Sequence, residues 1–178
     1  MIRVYFVILS LCISGFSYGK NDIINDYNNQ NFEKVCISGT NADSRNEDIL
    51  SLIGNACLKI DNINPLGVII KRLVTSSKYR ENASYFATIL LQKKLIYQFM
   101  VDRISLKNIR LPRTSYILSI VFENIVKKNY KVLDSSKNKI EINVKNQKYI
   151  LWISNNKPPK VFIDEYKDNT LVKRHWYL

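Results

Sequence analysis

The spacing of apolar residues changes once along the chain, and that change constrains the fold more than any other feature. Up to Lys128 apolar positions recur every three or four residues, the period of an amphipathic helix. From Tyr130 onward they recur every second residue, the period of a half-buried strand. In "NKIEINVKN", Ile140, Ile142 and Val144 fall on one side of an extended chain, with Glu141 and Asn143 on the other. "KYILWIS", "KVFIDEY" and "LVKRHWYL" are three further β-rich runs, separated by the turn sequences "KNQK", "NNKPPK" and "KDNT". Connections this short join antiparallel neighbours. The expected class is α+β, with α-helical hairpins over residues 20–129 and an antiparallel β-meander of four or five strands over residues 130–178. One sheet face should pack on the preceding helix, because so small a sheet cannot bury both faces alone.

Within the helical part, Ile49, Leu52, Ile53, Ala56 and Ile60 define one apolar stripe and predict a helix over residues 46–60. Asn46 or Ser44 can cap it, and Glu47 and Asp48 suit its positive end. Residues 61–64 break the pattern, and Pro65 suits the first turn of a second helix over residues 66–74. An earlier pair carries Ile23, Ile24 and Tyr27, then Phe32, Val35 and Cys36, on either side of "NNQN". A shift of 34 residues lays Phe32 on Leu66, Val35 on Ile69 and Glu47 on Glu81. That period, and the phrase "LIGNACLKIDN" with Gly54 and Ala56 at its small positions, resembles tetratricopeptide-type hairpins. A plain helical bundle is the alternative. A longer helix over residues 82–101, the polar connector "DRISLKNIRLP" and a helix over residues 114–128 complete this half.

The first residues, "MIRVYFVILSLCISGFSYGK", have the layout of a secretory signal peptide: Arg3, an apolar run over residues 4–16, then Ser17-Tyr18-Gly19. The expected leader is residues 1–19, cleaved after Gly19 or kept as an anchor, and the expected compartment is the periplasm. After cleavage no apolar stretch is long enough to span a membrane. Charge is uneven: residues 20–62 carry four bases and seven acids, and residues 63–178 carry 22 bases and eight acids. A basic body suits anionic partners, and export sets nucleic acid aside. The remaining partners are acidic faces of other envelope proteins and an anionic wall polymer such as peptidoglycan. Outside the leader two cysteines remain, Cys36 and Cys57, either bridged or packed as two small hydrophobes. A bridge would need Cα atoms within about 7 Å.

No catalytic, cofactor-binding or metal-ligating set emerges, and no cofactor is expected. The five glycines are scattered, no Cys-x-x-Cys occurs, and His175 is the single histidine, read as a surface strand residue. Asp164 and Glu165 are adjacent, so on a strand they point to opposite faces. The chain reads as a binding protein and not an enzyme. Tyr, Trp and Arg dominate protein interfaces, which makes Tyr79, Arg80, Arg110, Arg113, Trp152, Arg174 and Tyr177 the candidate contact residues. In "NIRLPR", Arg110 and Arg113 lie close to Pro112, an arrangement suited to capturing carboxylates.

The leader, the degenerate repeats, "RENASYFATILLQKKLIYQFMVD" and the ending "PPKVFIDEYKDNTLVKRHWYL" together resemble the small exported proteins of the paralysed-flagella group from polarly flagellated epsilon-type bacteria. The resemblance implies a non-enzymatic subunit of the periplasmic scaffold around a flagellar motor, needed for motility and contacting larger helical-repeat proteins. It implies no site residues.

Overall fold

A computed structural model of the chain describes residues 18–42, 44–136 and 138–178. The leader expected over residues 1–19 lies, apart from Tyr18 and Gly19, outside the described residues. Among the described residues the helices come first: α1 Lys20–Asn28, α2 Phe32–Asn41, α3 Glu47–Lys59, α4 Leu66–Ile70, α5 Ser77–Val101 and α6 Ile117–Val126. A sheet follows: β1 Lys131–Asp134, β2 Lys139–Val144, β3 Gln147–Ile153, β4 Val161–Lys167 and β5 Thr170–Tyr177. The α+β class holds.

Asn46 caps α3 by accepting from the amides of Asp48 and Ile49 at 3.0 and 3.2 Å, an interaction worth about 1 kcal/mol. Cys36 on α2 and Cys57 on α3 face each other with Cα atoms 4.8 Å apart and are joined by a disulfide. Under α1, the Asp26 carboxylate accepts from Tyr18 and Asn31 and pairs with Lys34. The Lys34 contact, then those of Asn31 and Tyr18, hold its carboxyl down at about 2.

The helix predicted over residues 66–74 stops at Ile70. The physical reason lies on α3. Glu47, itself buried, accepts from the amide of Val74, the amide of Thr75 and the Thr75 hydroxyl. Those two amides point at a carboxylate and so cannot continue the helical ladder. α5 then starts five residues earlier than the predicted 82, where Ser76 accepts from the Tyr79 amide at 3.4 Å.

α5 is the spine of the molecule. Phe86, Ile89, Ile96 and Met100 form its buried stripe, and Gln92 reaches Ser119 at 2.9 Å and the carbonyl of Pro112 at 3.3 Å, tying down α6 and the connector. Lys93 is 2 % exposed and bonds to Asn64. Burial, helped by neighbouring Lys94, pushes its ammonium down to about 8. Among the described residues no helix is long and apolar enough to cross a membrane.

The five strands pair in sequence order, each antiparallel to the next. Ile140, Ile142, Tyr149, Leu151, Val161, Ile163 and Tyr177 share the inner face and are buried in one cluster with the apolar stripes of the helices. The alternate residues face outward.

The small residue at position 54 sets how closely α3 approaches α5. A Cβ there would lie 2.6 Å from two ring carbons of Phe86, whose own side chain is fully buried. Gly54→Ala is therefore expected to destabilise the fold by about 1–3 kcal/mol through overpacking. Urea denaturation checks this, and an unchanged midpoint would mean that α5 shifts freely against α3.

Candidate functional site

Two buried carboxylates, one on each side of β5, organise the polar chemistry of the molecule. On the inner side, Asp61 closes the turn after α3 with a left-handed backbone (φ 60°). Its Oδ1 accepts from the Tyr116 hydroxyl at 2.6 Å, from His175 Nδ1 at 2.9 Å and from the Tyr177 hydroxyl at 3.4 Å. Its Oδ2 lies 2.9 Å from the ammonium of Lys173. Burial alone pushes the Asp61 carboxyl up, but the hydrogen bonds from His175 and Tyr116, the charge of His175 and the bond from Lys173 outweigh it and hold the carboxyl below its ordinary value. Burial, with Asp61 beside it, pushes the Tyr116 hydroxyl well above the usual phenol range.

Two sequence expectations are corrected here. His175 is not a surface residue: it is 5 % exposed, with Nε2 lacking a hydrogen-bond partner 3.5 Å from Glu165 Oε2. Tyr177 is not available for contact, being buried with its hydroxyl between Tyr116 and Asp61. The reason is common to both. β5 turns residues 173, 175 and 177 inward, and the α3–α4 turn and the start of α6 close over that face.

On the outer side, Asp164 is 4 % exposed and accepts three bonds: from Trp152 Nε1 at 3.0 Å, from Arg174 Nε at 2.6 Å and from Arg174 Nη2 at 3.0 Å. A fork-shaped guanidinium meeting a carboxylate with two bonds is held in place as well as charged. The register places Trp152, Phe162 and Trp176 side by side across β3, β4 and β5. Lys139 precedes Ile140, the partner of Leu151, and so extends this row onto β2. Trp152 and Phe162 stack with ring centres 4.2 Å apart and planes 10° apart, which contributes about 0.5–1.5 kcal/mol beyond burial. The Lys160 ammonium lies 3.9 Å over Trp176, and that of Lys148 lies 5.0 Å over Tyr166.

The sequence candidates separate into four places. Trp152 and Arg174 come together on this outer face. Arg110 and Arg113 are exposed on the connector before α6, where Arg113 approaches Glu123 of the same chain at 3.5 Å. Tyr79 and Arg80 sit at the start of α5, with Arg80 donating to the carbonyl of Val74 at 2.9 Å. Tyr177 lies in the core. Asp164 and Glu165 diverge as expected, towards Arg174 and His175 respectively. Sequence reasoning missed Asp61, Tyr116, Lys139 and Phe162. Strand parity could have found Phe162, whereas Asp61 and Tyr116 depend on long-range closure. Among the described residues no group of three or more His, Cys, Asp or Glu side chains could hold a metal ion.

No family model, no curated protein and no solved structure matches the chain.

Asp61→Asn keeps the side-chain volume, and asparagine tolerates the left-handed backbone. It is expected to cost about 1–3 kcal/mol at neutral pH, because an amide cannot accept from Tyr116, His175 and Tyr177 as the carboxylate does and leaves a buried donor unpaired. Asp61 is depressed in the folded state, so its stabilisation is present above the unfolded carboxylate value and is lost as pH falls through the lowered one. Wild-type stability should thus decline on acidification, with a flatter acid limb in the variant; equal limbs in urea titrations would contradict this. Asp164→Ala should cost about 1–2 kcal/mol, since Arg174 can recover water when released. A red shift and broadening of Trp152 emission would report the freed ring.

Proposed function

We propose that the chain is an exported, non-enzymatic adaptor of the periplasm that docks onto larger envelope proteins. In its most specific form, the partner assembly is the scaffold around a flagellar motor, and the helical half is a degenerate set of tetratricopeptide-like hairpins. The observation that carries this reading is the free edge of the sheet. β5 is a terminal strand of eight residues. It presents Leu171 at 46 %, Val172 at 60 % and Trp176 at 44 % exposure, beside Lys160 and Arg174. Large apolar side chains on a strand with one unpaired edge are the ingredients of strand addition and of aromatic-anchored interfaces. The Lys160 ammonium over Trp176 favours an acidic partner at this edge.

Photo-crosslinking from position 172 in living cells tests the proposal. The expected product joins this chain to a helical-repeat envelope protein, and Val172→Asp is expected to lower its yield about tenfold or more. Deletion of the gene is expected to impair motility. An absence of crosslinks together with normal motility would remove the reading.

A further inference from the structure

At the opposite end of the aromatic row from Trp176, the outer face is concave. A groove of about 750 Å³ runs beside Trp152, bounded by Lys139, Ser154, Asn155 and Asn156, with Asp164 and Arg174 also in its lining. Its volume suits a ligand of one or a few rings.

The aromatic wall has one usable face. Phe162 stacks on one side of the Trp152 ring. The Arg174 guanidinium carbon is 5.3 Å from the Trp152 ring centre and 6.0 Å from that of Phe162, nearly equidistant, so it lies beside the stack and not at its end. The other face of Trp152 therefore looks along the row towards β2, where Lys139 stands. Trp152 is also immobilised, because its Nε1 donates to the buried Asp164. A fixed indole face with no aromatic partner is a stacking platform.

The charge of the groove is sparse. Arg174 spends two of its donors on Asp164, and the pair cancels. Lys139 has no ion-pair partner among the described residues, so it is the groove's uncompensated charge. Around it stand side-chain amides and hydroxyls, groups that both donate and accept. An acidic peptide needs a file of free cations, and among the described residues of this groove there is one. A sugar needs a flat apolar face, amides for its hydroxyls and, if it carries a carboxylate, a single ammonium.

We infer that the groove beside Trp152 binds a carboxylate-bearing oligosaccharide, with one ring stacked on Trp152 and its carboxylate on Lys139. The inference goes beyond the docking reading and uses a different part of the sheet. It borrows from that reading only export, which decides where such a sugar is met.

The test uses the purified protein with Trp176→Phe, so that emission reports Trp152. The probes are trigalacturonate and the N-acetylglucosamine–N-acetylmuramic acid disaccharide, with neutral chitotriose and a hexaglutamate peptide as comparisons. Saturable quenching by at least one carboxylated sugar, about tenfold or more tighter than by chitotriose, is expected. Lys139→Ala should abolish that tenfold preference, since a charged hydrogen bond contributes about 1.5–3 kcal/mol. Ser154 and Lys160 close the neighbouring loop without Lys139, so this surface variant should fold normally, as circular dichroism will verify. Absence of saturable quenching by both carboxylated sugars would overturn the inference, and so would equal affinity for hexaglutamate or for chitotriose. Neither result bears on the crosslinking at β5, which needs no sugar.

Discussion

A single buried carboxylate closes this molecule on itself. Moving an ionised group out of water costs several kcal/mol unless donors surround it, and at Asp61 they come from two distant stretches of chain, the start of α6 and β5. Tyr116 lies 55 residues away and Tyr177 lies 116 residues away. None of these contacts can form until the helices and the sheet are packed, so the network rewards the complete fold and no fragment of it. It also explains why β5, the last strand, is ordered to its end. His175 and Tyr177 face the core and carry bonds there.

The same device recurs on the other side of β5, with the opposite consequence. Strand alternation sends Lys173 inward to Asp61 and Arg174 outward to Asp164. The inner pair locks two halves together. The outer pair lies on a face that no other element among the described residues covers, where it holds Arg174 and the Trp152 ring in fixed positions. Aromatic side chains kept rigid at a surface lose little freedom on binding, and preorganisation of that kind favours recognition. The outer row thus has two ends with different chemistry. One is an apolar strand edge beside Lys160, and the other is a polar groove in which, among the described residues, Lys139 is the ammonium without a carboxylate partner.

Much of this was legible before any coordinates. The change of apolar period at Tyr130 located the boundary between helices and strands, and the Asn46 cap followed from local rules. Gly54 was readable as a point of close helix approach, and Phe86 of α5 occupies the space that its missing side chain leaves. The errors share one cause. The helix after Pro65 ended early because Glu47, far back in the chain, captured its amides. His175 and Tyr177 were placed on the surface because polar tips hide burial when a distant carboxylate receives them. The 34-residue spacing is weaker for the same reason, since the five-residue α4 stands where a ten-residue helix would repeat α2.

By itself, then, the sequence determined what lies within a few residues of each position: periods, caps, turns, strand parity and the sign of the charge. Those depend on local backbone geometry and on neighbours at fixed offsets. Only the tertiary structure decided which face of each strand is covered, which cations are already spent on carboxylates and which remain free. The contacts of Asp61 join groups more than fifty residues apart, and no short-range rule of spacing encodes them.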